Sequence, residues 1–251
     1  MVNIENEKVE YILFDEDLQK AIEEISNYEF SNGKFKLDFF TEKSDIYGMA
    51  YLNWRFGGYS RYEQFCTMGD SYLETQYNQL WMLVQNRRDH RADGWIFPIL
   101  FNTMHGIECY LKGFGGQLEY LEKVVKGVPI EDIEFKNPWG HELLPLSVGV
   151  IKQLDDLYQL TKDERFKEAT EAIEFIKSFI ELLVSKSDYV AVFRYPFDTK
   201  SEELFYNKSL ENETIHLELY FIWFTKVHDT LKSLNYFFDD LSERYIYNIG
   251  E

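Results

Sequence analysis

The chain has 251 residues, 45% of them hydrophobic and 18% aromatic, and a formal net charge of −18 from 44 acidic and 26 basic side chains. That much ring surface excludes a disordered acidic chain, and the length permits one large core without help from disulfides or metal. The charge excludes a general attraction to nucleic acid, so any RNA or nucleotide contact has to be made through a local patch.

Residues 1–69 read as a small N-terminal α/β cap: a short apolar run at 11–14, a charged helix at 15–27, a Ser31-Asn32-Gly33 turn, then ring-rich stretches at 35–40 and 46–56 closed by Gly57-Gly58. Residues 70–251 read as an antiparallel helical bundle. Its first helix is expected to open at a capping box, Ser71 with Glu74, and to bury Leu73, Tyr77, Leu80, Trp81 and Val84. The second is expected to begin around Pro98, whose missing N–H suits a first turn, and to stop at Gly113, Gly115 and Gly116. At 100° per residue Leu100, Met104, Ile107 and Leu111 take one side of it, and Asn102, His105, Glu108 and Lys112 share an arc of about 120° on another.

A third helix is expected over 141–160, with Leu143, Leu146, Val150, Leu154 and Leu157 as its buried stripe. The fourth opens at a second capping box, Thr161 with Glu164, and carries Phe166, Ala169, Ile173, Ile176, Ile180 and Leu183 in steps of three and four. The stretches 189–195 and 204–206, rich in ring and β-branched side chains, flank a polar turn, and residues 189–207 read as a β-hairpin insert. Leu217, Tyr220, Phe224, Val227, Leu231, Leu234 and Phe238 mark a last helix. The fold class is mostly α. Cys66 and Cys109 are the only cysteines, the first ten residues lack a signal-like apolar stretch, and the longest apolar run, 94–101, is broken by Pro98. A cytoplasmic protein with reduced thiols and no membrane segment is expected.

The segment from Pro98 through His105, Glu108 and Lys112, followed by Gly140-His141-Glu142-Leu143 and by Phe193-Arg194-Tyr195-Pro196, resembles the HEPN superfamily of bacterial helical domains over residues 70–251. The resemblance implies a binding or effector module from a bacterial or phage-related conflict setting, antiphage defence or toxin–antitoxin, with dimerisation through its helices in prospect. HEPN ribonucleases carry Arg followed four to six residues later by His. No arginine stands at the matching distance before His90, His105, His141, His216 or His228, so the usual ribonuclease motif is absent.

The residues themselves define a candidate centre. His105 and Glu108 are three apart on one helix face, where the carboxylate can hold the imidazole's tautomer, and Lys112 is four beyond Glu108 in the favourable order for an ion pair. His105, Glu108 and His141 are the candidates for acid–base chemistry, and Asn102, Lys112 and Arg194 those for receiving a substrate or anion. A buried polar network that fixes helix register is the competing reading. His105 and His141 with Glu108 or Glu142 are acceptable zinc or iron ligands, but di-iron bundles use paired Glu-x-x-His segments and this chain has one reversed His-x-x-Glu. No metal and no cofactor is expected. A divergent ribonuclease or nucleotide-acting enzyme using His105, His141 and Arg194 is one alternative. An acidic protein-interaction or nucleic-acid-mimic protein is another, with a protein partner or a second copy as its target.

Overall fold

The computed structural model describes residues 50, 59–86, 90–134, 140–185 and 214–248. The chain divides into two units, 1–52 and 53–251, and every described residue except Ala50 belongs to the second. Its described residues form α1 (Arg61–Gln85), α2 (Ala92–Val125), α3 (Leu143–Thr161), α4 (Arg165–Val184) and α5 (Leu217–Asn248), and a 3₁₀ turn at Ile130–Asp132. The mostly α class holds, and no strand occurs among the described residues. The expected hairpin at 189–207 lies outside them, as does the expected cap up to residue 58 apart from Ala50.

α1 starts eleven residues earlier than the Ser71 box implies. Ser60 is its N-cap: the Ser60 hydroxyl accepts from the Glu63 N–H, and the Glu63 carboxylate accepts from the Ser60 N–H. Ser71 stands inside the helix, its hydroxyl donating back to the Thr67 carbonyl. Two Ser-x-x-Glu patterns compete in this stretch, and the apolar face begins before the second: Cys66 is buried with Leu73, Leu80 and Leu83.

α2 corrects the expectation most. It runs through Pro98 in its second turn and through Gly113, Gly115 and Gly116 in its second half, and at 34 residues it is roughly 50 Å long. Gly113 serves close packing rather than termination, and so do Gly106 in the same helix and Gly69 in α1. A Cβ on Gly106 would lie 2.8 Å from the Leu73 side chain, one on Gly69 would lie 2.8 Å from the Gly106 carbonyl oxygen, and one on Gly113 would overlap the Cys66 sulfur. Each interior glycine costs roughly 1 kcal/mol of helix propensity, and the close α1–α2 contact that it permits offsets this.

The Thr161–Glu164 box does not form. Thr161 is the last residue of α3, its hydroxyl donating to the Leu157 carbonyl, and Lys162 turns into the left-handed region at φ 57° to end that helix. Asp163 takes over the N-terminus of α4, accepting from the Arg165 N–H at 3.1 Å.

Helix directions follow from the pairs that meet. Tyr62 with Tyr120, Asp70 with Tyr110 and Tyr72 with His105 run in opposite order, so α1 and α2 are antiparallel. Phe166 with Tyr245 and Phe179 with Tyr220 make α4 and α5 antiparallel as well. Thr103 with Tyr220, Phe114 with Phe238 and Gln117 with Asp239 rise together, so α2 and α5 run the same way. Glu108 with His141 and Gly115 with Gln153 show the same for α2 and α3. The expectation of an antiparallel bundle is therefore corrected for these pairs. Short turns force reversal, but residues 126–142 are long enough to return the chain before α3 begins; the reversals from α3 to α4 and from α4 to α5 then leave α5 running with α2. α2 packs against α1, α3 and α5, and supplies Ile99, Met104, Ile107, Leu111, Phe114 and Leu118 to the shared core.

A candidate polar site on the second helix

Four of the six expected site residues, Asn102, His105, Glu108 and Lys112, stand on one face of α2, and a fifth, His141, reaches Glu108 from the segment that leads into α3. Glu108 is buried, and its Oε1 accepts from Lys112 Nζ at 2.8 Å and from His141 Nδ1 at 2.8 Å. His105 Nδ1 lies 3.8 Å from Oε2, an ion-pair neighbour rather than a hydrogen-bond donor. Asn102, one turn before, is half-buried on the same helix. Arg194 lies outside the described residues.

Burial alone would raise the Glu108 pKa, but His105, Lys112 and His141 outweigh it and hold the carboxyl at about 2. An ionised carboxylate can only accept, so His141 Nδ1 carries the proton in that bond and Nε2 is the ring nitrogen left to face outward. The His141 side chain is 85% exposed, against 8% for Glu108. A buried anion thus orients an imidazole at the surface.

His105 is placed differently. Its ring packs edge-on against Tyr72 at 4.7 Å and parallel to Phe101 at 6.1 Å, and its Nε2 faces the Cys109 sulfur at 4.0 Å. The Cys109 contact and then the Glu108 carboxylate push its pKa up to about 9, with burial opposing. Lys112 is buried and its ammonium is committed to Glu108. It therefore serves to keep Glu108 ionised.

Sequence reasoning missed a second cluster. Asp70 Oδ1 on α1 accepts from His228 Nε2 on α5 at 2.8 Å and from the Tyr110 hydroxyl on α2 at 3.2 Å, with Lys232 Nζ 3.5 Å away. The His228 hydrogen bond holds Asp70 below the usual carboxylate range against the effect of its burial, with help from Lys232. The one signal available was the place of His228 on the apolar stripe of α5, between Phe224 and Leu231.

Among the described residues, no group of three or more His, Cys, Asp or Glu side chains has the geometry to hold a metal ion. No described helix is long and apolar enough to cross a membrane. No family model matches the chain, and neither does any curated protein or solved structure.

Proposed function

We propose that the chain is a HEPN-like helical binding or effector module of a bacterial or phage-related conflict system, and that the cluster around Glu108 receives an anionic, phosphate-bearing ligand. The reading rests on the Glu108–His141 contact, in which a buried carboxylate fixes one nitrogen of an exposed ring and leaves the other to meet a ligand. Lys112 and the raised pKa of His105 supply two positive charges against one negative, a local excess in a chain of net charge −18. As the imidazolium, His141 then donates from Nε2 to a phosphate oxygen, and as the neutral ring it accepts a proton there from a phosphate O–H. A charge-assisted bond of this kind contributes about 1.5–3 kcal/mol.

The same pairing supports the second reading, a divergent ribonuclease or nucleotide-acting enzyme, because a carboxylate behind one imidazole nitrogen is the arrangement that orients a general base. The test titrates wild type and His141→Ala with inorganic phosphate and with adenosine monophosphate, following the histidine ring signals by NMR. Saturable shifts at His141, weakened about tenfold or more by the substitution, are expected. Equal binding by both proteins removes the site from the function. RNA cleavage in the presence of a chelator, lost in His141→Ala and kept in His90→Ala, selects the enzyme.

A further inference from the structure

One end of the bundle carries apolar side chains that no described residue covers. On α5, Leu219 and Ile222 are 56% and 62% exposed, and Ile215 lies exposed just before the helix starts. The spacing 215, 219, 222 is that of a seam in helix–helix packing, on the side of α5 turned away from its own core residues Tyr220, Phe224 and Val227. Rings extend the seam to both sides. Phe221 packs against Tyr77 and Trp81 of α1 at 5.3 and 5.7 Å, and Trp223 stacks on Phe175 of α4 at 5.6 Å. Trp81 is 48% exposed, and Met82 and Leu182 are also exposed. A contiguous ribbon of Trp, Tyr, Met and Ile is the composition of a protein interface, whereas scattered surface apolar residues carry no such meaning.

The charges beside the ribbon indicate what covers it. Glu74 shares a face of α1 with Tyr77 and Trp81, Glu218 lies between Ile215 and Ile222 on α5, and Glu181 adjoins Leu182 on α4. Lys177 on α4 is engaged by Glu174 and Glu181, and Lys226, exposed one turn beyond Ile222, is outnumbered by these carboxylates and by the exposed Asp229. Two copies meeting through this ribbon would set these carboxylates against one another in a chain that already carries −18. We infer that the ribbon docks an amphipathic helix of a different protein, its apolar face on Leu219, Ile222 and Trp81 and its flanks carrying Lys or Arg opposite Glu74, Glu181 and Glu218. This is helix-on-helix recognition with a charged rim, separate from the polar site on α2.

The test measures anisotropy of labelled peptides of about 18 residues, one of Leu and Lys and one of Leu and Glu, each patterned as an amphipathic helix. The Leu/Lys peptide is expected to bind saturably and the Leu/Glu peptide not to bind. The deciding variant is Ile222→Asp, with Trp81→Ala as a second and circular dichroism as the check on folding. Ile222→Asp adds a negative charge, so binding by charge alone would tighten, whereas docking on the ribbon predicts a loss of about tenfold or more. Unchanged or tighter binding by Ile222→Asp overturns the proposal. So does the absence of binding to wild type, which would mean that the chain covers this face itself. Sedimentation of wild type as a dimer that Ile222→Asp dissolves would assign the ribbon to a second copy instead.

Discussion

Replacing Glu108 by Gln keeps the shape of the side chain and removes its charge, and the structure sets both the size and the pH dependence of the effect. The carboxyl pKa falls from 4.5 to about 2 on folding. At about 1.4 kcal/mol per pKa unit, the ionised form contributes about 3 kcal/mol of stability. Because the folded pKa is the lower one, this contribution is fully present above 4.5 and is lost as pH falls through about 2. Independently, taking one partner from a buried ion pair costs about 3–5 kcal/mol, here by leaving the Lys112 ammonium buried with no counter-charge. Urea unfolding of wild type and Glu108→Gln should therefore differ by about 3 kcal/mol at neutral pH, and the two should converge toward pH 2, where wild type carries a neutral carboxyl as well. A constant offset across that range would refute the reasoning, since the lost stability would then have nothing to do with charge.

The His105 ring should titrate near 9 by NMR and shift toward 6.5 in both Cys109→Ala and Glu108→Gln; its contribution to stability is fully present below 6.5 and disappears as pH rises through about 9. Gly113→Ala should lower stability by about 1–3 kcal/mol in thermal unfolding, although alanine is the better helix former, because its methyl group would meet the Cys66 sulfur and the Tyr62 carbonyl. An increase in stability would show that α1 and α2 have room to separate. Gln76 is fully buried and neither of its amide atoms has a hydrogen-bond partner among the described residues, so Gln76→Met should raise stability by about 1 kcal/mol. A decrease would mean that the amide is satisfied by water in solution.

Much of the fold was legible because apolar periodicity is a local signal. Leu154, Leu157, Ile173, Ile176, Ile180 and Leu231 are fully buried, each on the stripe that its spacing implied. Helix ends were harder. A glycine that stops a helix and one that lets a neighbouring helix approach look alike in sequence, and only the Cys66 and Leu73 side chains opposite them show which role Gly113 and Gly106 have. Ser60-x-x-Glu63 and Ser71-x-x-Glu74 are equally good capping patterns, and packing of the preceding turn decides between them. Within the site, His105, Glu108 and Lys112 were legible as one helix face, and His141 does join Glu108 from 33 residues away. The Asp70–His228 contact spans 158 residues and follows from helix order alone, which periodicity does not encode. The directions of α3 and α5 relative to α2 were hidden for the same reason.

The polar site turns on a buried, ionised Glu108 that sets the tautomer of His141. Nitrogen-detected NMR of the neutral His141 ring reads this directly. The structure predicts a proton on Nδ1 with Nε2 bare, reverting in Glu108→Gln to the Nε2–H form that a free imidazole prefers. An Nε2–H tautomer in wild type would contradict the arrangement at its centre.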